Sequence, residues 1–131
     1  MAVHATSLRN AQANAVTTLV DAGAAAGFIE IRTGSSIGAG TLLATCTLSD
    51  PSFGSASTGV ITGASFPKSD SSADNSGTIG HYCVKDSDGN IVLSGTSVGA
   101  GSGELNMVSL SVTATQVVTI NSFTYTIPAG S

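Results

Sequence analysis

The side chains able to do chemistry are few. His4 and His81 are the only imidazoles, and Cys46 and Cys83 the only thiols. A Ser or Cys nucleophile needs a base beside it and a third group to orient that base. Serines abound, yet neither histidine adjoins a G-x-S-x-G elbow in the chain. His4 falls in the N-terminal arm, and His81 sits mid-strand beside Tyr82, where a surface position is expected. The two cysteines lie 37 positions apart, with no C-x-x-C and no neighbouring His pair to suggest zinc. They read as small buried hydrophobes, with a bridge between adjacent strands as the alternative.

The acids and glycines fare no better as sites. Asp86-Ser87-Asp88-Gly89-Asn90 has the start of a calcium loop, but Ile91 and Ser97 stand where that loop needs Gly and Glu. A hairpin turn is the stronger reading. Asp70 and Asp74 offer at most a weak surface cation site. Gly38-Ala39-Gly40-Thr41-Leu42-Leu43 and Gly99-Ala100-Gly101-Ser102-Gly103-Glu104 both miss the phosphate-binding register, and no Gly-Lys-Ser/Thr occurs. With 4 Phe, 2 Tyr and no Trp, platforms for sugar stacking are scarce. The expectation is no enzyme, with no catalytic residue, no cofactor and no metal site.

Composition narrows the partners. Four Lys+Arg against eight Asp+Glu give a net charge of −4, too few cations to neutralise nucleic-acid phosphates. No apolar run reaches the ~18 residues that span a bilayer, so no membrane is expected. The opening Met1-Ala2-Val3-His4-Ala5-Thr6-Ser7 lacks the basic and apolar regions of a secretory signal. Only 9% of residues are charged, while Gly, Ala, Ser and Thr make up just over half of the chain. Residues 105–131 hold no Asp, Glu, Lys, Arg or His. Charge is the usual device against edge pairing and association, so a surface this poor in it suits a subunit covered by partners. A secreted, hydroxyl-rich β-domain is the plainer alternative.

The elements follow from periodicity. Residues 7–22 read as the one helix, with Leu8, Ala11 or Gln12, Ala15, Leu19 and Ala22 as its packing stripe and Val16 and Val20 widening it. Alternation then gives strands at 28–32, with Glu30 and Arg32 on the polar face, at 41–48, where Leu42, Ala44, Cys46 and Leu48 share a core face, and at 60–64. Residues 67–77 are the most polar stretch and are expected as an exposed loop. Runs at 78–85 and 90–95 flank the Asp-Gly turn, 98–103 reads as a glycine-rich loop, and strands close the chain near 108–112 and 116–127. One helix followed by short strands at regular spacing predicts a mainly β fold. The expected form is an antiparallel β-sandwich or barrel, jelly-roll-like, with one N-terminal α-helix. The chain reads as a single domain, 1–131, with an arm and helix over 1–26 and the β-domain over 27–131.

Seven segments in order carry a resemblance. They are Ser7-Leu8-Arg9-Asn10, Gly27-Phe28-Ile29-Glu30-Ile31-Arg32-Thr33-Gly34, Leu42-Leu43-Ala44-Thr45-Cys46-Thr47-Leu48-Ser49, Asn75-Ser76-Gly77-Thr78, Val84-Lys85-Asp86-Ser87-Asp88-Gly89, Ser102-Gly103-Glu104-Leu105-Asn106 and Val118-Thr119-Ile120-Asn121-Ser122-Phe123-Thr124-Tyr125. Together they resemble a family of small structural proteins of tailed bacteriophages, of the head-decoration or capsid-cement type. The resemblance implies a homodimer or homotrimer on the exterior of the capsid. Its partners would be itself and the major capsid protein, bound across capsomer boundaries after assembly in the host cytoplasm. It brings no catalytic residues. Contact is expected from residues 1–10 and from the charge-free end near 123–131. A tail, neck or fibre-associated virion protein and a carbohydrate-binding β-sandwich module are the alternatives.

Overall fold

The computed structural model describes residues 4–127. Helix α1 (Thr6–Val20) leads into eleven strands among these residues. They are β1 (Phe28–Arg32), β2 (Leu42–Thr47), β3 (Val60–Thr62), β4 (Lys68–Asp70), β5 (Gly77–Thr78), β6 (His81–Lys85), β7 (Ile91–Gly95), β8 (Val98–Ala100), β9 (Leu105–Met107), β10 (Ser111–Val112) and β11 (Val118–Thr126). The protein is mainly β, and its antiparallel sheets form a sandwich.

The first sheet has the order β2-β1-β6-β7, antiparallel throughout. The second has the order β3-β11-β9-β8, with β4 also paired to β11. Its long central strand β11 takes β4 along residues 118–120 and β3 along 124–126, one after the other. A small β5/β10 pair stands apart. The stretch expected as a loop at 98–103 contains β8, which runs parallel to β9. Gly101 and Gly103, at φ of 85° and 84°, take left-handed conformations that let a four-residue link replace the usual long crossover.

The core lies between the sheets. Ile29, Ile31, Ala44, Cys46, Tyr82 and Val84 face Leu105, Met107, Ile120 and Phe123, all buried. Phe123 is its pivot, with its ring edge-on to Tyr82 at 5.1 Å and tilted against Phe53 at 5.8 Å.

Helix α1 packs on a different face from the one its leucines predict. Leu8 and Leu19 are 47% and 56% exposed, and Ala11, Gln12, Ala15 and Ala22 are exposed too, whereas Ala13 and Val20 are fully buried. Polar anchors set the rotation. Arg9 donates to the Thr58 carbonyl, Asn10 accepts from Gly59 N–H, Asn14 accepts from Ala56 N–H, and Asp21 accepts from Ser52 N–H. These bonds lay α1 along residues 52–59, and the small side chain of Ala13 allows the close approach.

The polar stretch 67–77 is not a free loop. It contains β4 and buries Ala73, and it satisfies the outer edge of β2. Asp70 accepts from Thr45 N–H at 3.0 Å, Asp74 N–H donates to the Leu43 carbonyl, and Asn75 donates to the Leu42 carbonyl. Polarity here serves to cap a sheet edge.

Candidate functional site

The residues singled out for chemistry are placed by the fold in structural roles. His81 is fully buried, not on the strand surface. It lies on the face of the first sheet opposite the core, where residues 33–40 fold over it. Its Nδ1 is 2.9 Å from the Gly34 carbonyl and Nε2 is 3.3 Å from Gly38 N–H. The geometry assigns a neutral ring with Nδ1 protonated, donating to one end of the loop and accepting from the other. The pentapeptide Gly34-Ser35-Ser36-Ile37-Gly38 has the G-x-S-x-G form, as does Gly95-Thr96-Ser97-Val98-Gly99, and both matches escape a reading that looks only beside the histidines in sequence. Both nitrogens of His81 are committed to backbone groups of the first pentapeptide, so the ring is a clamp and not a base for Ser36. Gly80 completes the clamp, since a Cβ there would overlap the Gly34 carbonyl oxygen and nitrogen. The clamped loop presents Ile37, 47% exposed, and the Ile91 side chain beside Gly38 is 46% exposed.

Cys46 and Cys83 sit on β2 and β6, on either side of β1. Register places Cys46 beside Ile29 on the core face and Cys83 beside Glu30 on the opposite face. They are free and buried, and the bridge between adjacent strands is excluded because a whole strand separates them. Burial first, and the charge of Asp70 second, push the Cys46 thiol up to about 12.

Glu30 is the centre of the one ion cluster among the described residues. Its Oε1 meets Lys85 Nζ at 2.8 Å and Arg32 Nη2 at 3.0 Å, with Arg32 Nε at 3.1 Å. Burial pushes the carboxyl pKa up, but the hydrogen bonds and charges of Lys85 and Arg32 outweigh it and hold the value below the ordinary one. Glu104 accepts from Tyr82 OH at 2.7 Å. Burial and then that bond and charge raise the phenol well above its usual range. Asp86 accepts from Asp88 N–H, Asn90 N–H and Asn90 Nδ2, and these bonds, led by those of Asn90, lower its pKa. Its carboxylate is thus consumed by the hairpin turn between β6 and β7, as the turn reading expects. Asp70 is consumed on Thr45 and Ser72, which leaves no carboxylate pair for a cation there. Among the described residues no three His, Cys, Asp or Glu side chains gather as a metal site.

The four cations are all engaged within the chain. Arg32 and Lys85 hold Glu30, Lys68 donates to Ser49 Oγ, and Arg9 holds the Thr58 carbonyl. The remaining surface is hydroxyls, amides, scattered aliphatics and a few carboxylates, among them Asp50, Asp74 and Asp88. Leu8, Leu19, Ile37, Ile91, Val108 and Val117 are its exposed large apolar side chains. Val108 and Val117 flank a cavity of about 160 Å³ between the segment after β9 and the start of β11, lined otherwise by Ser109, Ser111, Thr113, Gln116 and Thr119 among others. No charged side chain lines it.

Of the expected contact segments, residues 1–3 and 128–131 lie outside the described residues. Phe123 is core, and Tyr125 and Ile127 pack against it, so 123–127 offers chiefly Thr126 to solvent. Residues 4–10 open onto α1 and expose Leu8. Phe53, Tyr82 and Phe123 are buried, which removes them as platforms for sugar stacking. Compared with known proteins, the chain matches no protein-family model, no curated protein and no solved structure.

Proposed function

We propose that the protein is a head-decoration, or cement, subunit of a tailed bacteriophage. In this reading it docks as a homo-oligomer on the exterior of the assembled capsid, across capsomer boundaries, with the major capsid protein as its partner. One observation carries the reading beyond the sequence resemblance. Every lysine and arginine is engaged inside the chain and the exposed charges are a few carboxylates such as Asp50, Asp74 and Asp88, while six large aliphatic side chains stand exposed among hydroxyls and amides. Such a surface suits permanent contact with other protein, because docking it desolvates few charges.

The activity is thermodynamic. A protein that binds the assembled shell but not its separated subunits shifts the equilibrium toward the shell by mass action. Each copy adds a few kcal/mol at most, and the shell gains by their number. The test is the copy number in purified virions, by quantitative mass spectrometry against the major capsid protein. A ratio near one, or a simple fraction of one, supports a lattice-wide cement. A handful of copies overturns that reading and favours a neck, tail or fibre position.

A further inference from the structure

Beside the C-terminal end of α1 lies an open groove of about 310 Å³, lined by Asn14, Thr17, Thr18, Asp21, Phe53 and Ser55 among others. Asp21 is the C-cap of the helix, where the backbone dipole is already negative, and the last turn holds no basic residue to offset it. Both oxygens of its carboxylate accept from a single N–H, that of Ser52, at 3.1 and 3.2 Å. A carboxylate has about four acceptor positions, so most are left for another donor. Two hydroxyls of the same corner are also unsatisfied. Thr17 Oγ1 and Ser52 Oγ are buried without a partner, and Ser52 as a whole is fully buried. The counter-charge does not come from within the chain, because Arg9, Arg32, Lys68 and Lys85 are all engaged elsewhere.

We propose that this groove receives a lysine or arginine side chain of a partner protein, with the Asp21 carboxylate as its ion-pairing group. Three features favour such a cation: the carboxylate, the negative end of the helix, and the exposed apolar ring of Pro51 for its aliphatic stem. The inference holds whichever partner brings the cation and stands apart from the capsid reading.

The test titrates the ¹⁵N-labelled protein with N-acetyl-lysine amide and N-acetyl-arginine amide, and in parallel with spermidine, following backbone amide shifts. Saturable shifts on Thr17, Thr18, Asp21, Gly54 and Ser55 are expected with at least one of the two blocked amino acids at millimolar concentrations. In Asp21→Asn, which keeps an acceptor for Ser52 N–H, affinity should fall about tenfold or more, the effect of losing a charge-assisted hydrogen bond. Asp50→Asn removes the same charge nearby without touching the groove and should bind as the parent does. The proposal is overturned by any of three results: no saturable shifts, equal weakening in both variants, or a response to spermidine alone. Should Asp21→Asn fail to fold, the parent map decides, since shifts spread evenly over the acidic surface also overturn it.

Discussion

The Glu30 cluster allows one perturbation to be worked through. In Glu30→Gln, Arg32 and Lys85 keep their positions but lose the anion that joins them. At an effective dielectric of about 20, each contact near 3 Å is worth about 5–6 kcal/mol gross, and desolvation of three charges offsets most of it. What the variant exposes is therefore the cost of two part-buried cations without a counter-ion. Their side chains are 16–18% exposed, and glutamine still accepts one hydrogen bond. The loss should fall short of the full buried-pair penalty, at about 2–3 kcal/mol near neutral pH. Urea unfolding of parent and variant measures it. The sign with pH follows from the lowered carboxyl value. The stabilisation is fully present above the unfolded-state pKa and fades as pH falls through the lower folded-state value. The gap between the two proteins should therefore close as pH falls below the ordinary carboxyl range. Added salt should change it little, because a buried pair is poorly screened. A gap below about 0.5 kcal/mol at neutral pH, the range of an exposed pair, would refute the reasoning. So would a gap that persists in acid.

Three further outcomes follow from the packing. Gly80→Ala forces a methyl into the backbone of Gly34 and should cost about 2 kcal/mol or more, read from the denaturant midpoint, and a neutral result would contradict the clamp on loop 33–40. Phe123→Ala empties the space between Tyr82 and Phe53 and should cost about 3–5 kcal/mol by the same measurement. Neither thiol should react with a thiol reagent in the folded protein, and both should react after unfolding. A disulfide within the oxidised monomer would contradict the placement of Cys46 and Cys83 on either side of β1.

Alternation of residue types made the strands around Glu30, Cys46 and Phe123 legible, because it is a property of neighbouring residues, although β1 and β6 turn out to be buried on both faces. The Asp-Gly hairpin was legible for the same reason, since Asp86 closes its own turn. What escaped depends on contacts distant in sequence. The face of α1 is chosen by Arg9, Asn10, Asn14 and Asp21, whose polarity suggests solvent until residues 52–59 supply their partners. The stretch 67–77 reads as solvated until the edge of β2 lies beside it. His81 reads as a surface residue until loop 33–40 folds across its strand. In each case a polar side chain was bonded to backbone more than 20 residues away, which hydropathy patterning does not register. The groove at Asp21 was illegible for the same reason, as its walls come from α1 and from residues 51–55.

The treatment of the sheet edges constrains how this molecule can meet a partner. An exposed edge invites pairing by backbone hydrogen bonds, a route that needs little side-chain complementarity. Here the β2 edge is occupied by Asp70, Asp74 and Asn75, and α1 lies against both β3 and β7. Edge strand β8 is only three residues long, and the separate β5/β10 pair has two residues per strand. Strand addition is therefore poorly served, although the surface carries little of the charge that ordinarily discourages it. Contact falls instead to side-chain faces, where the exposed aliphatics on α1, on the clamped loop and around Val108 and Val117 lie. Such faces select a partner by shape. For the cement subunit proposed above, which must bind one lattice without indefinite self-association, short or covered edges and open side-chain faces would meet both demands together.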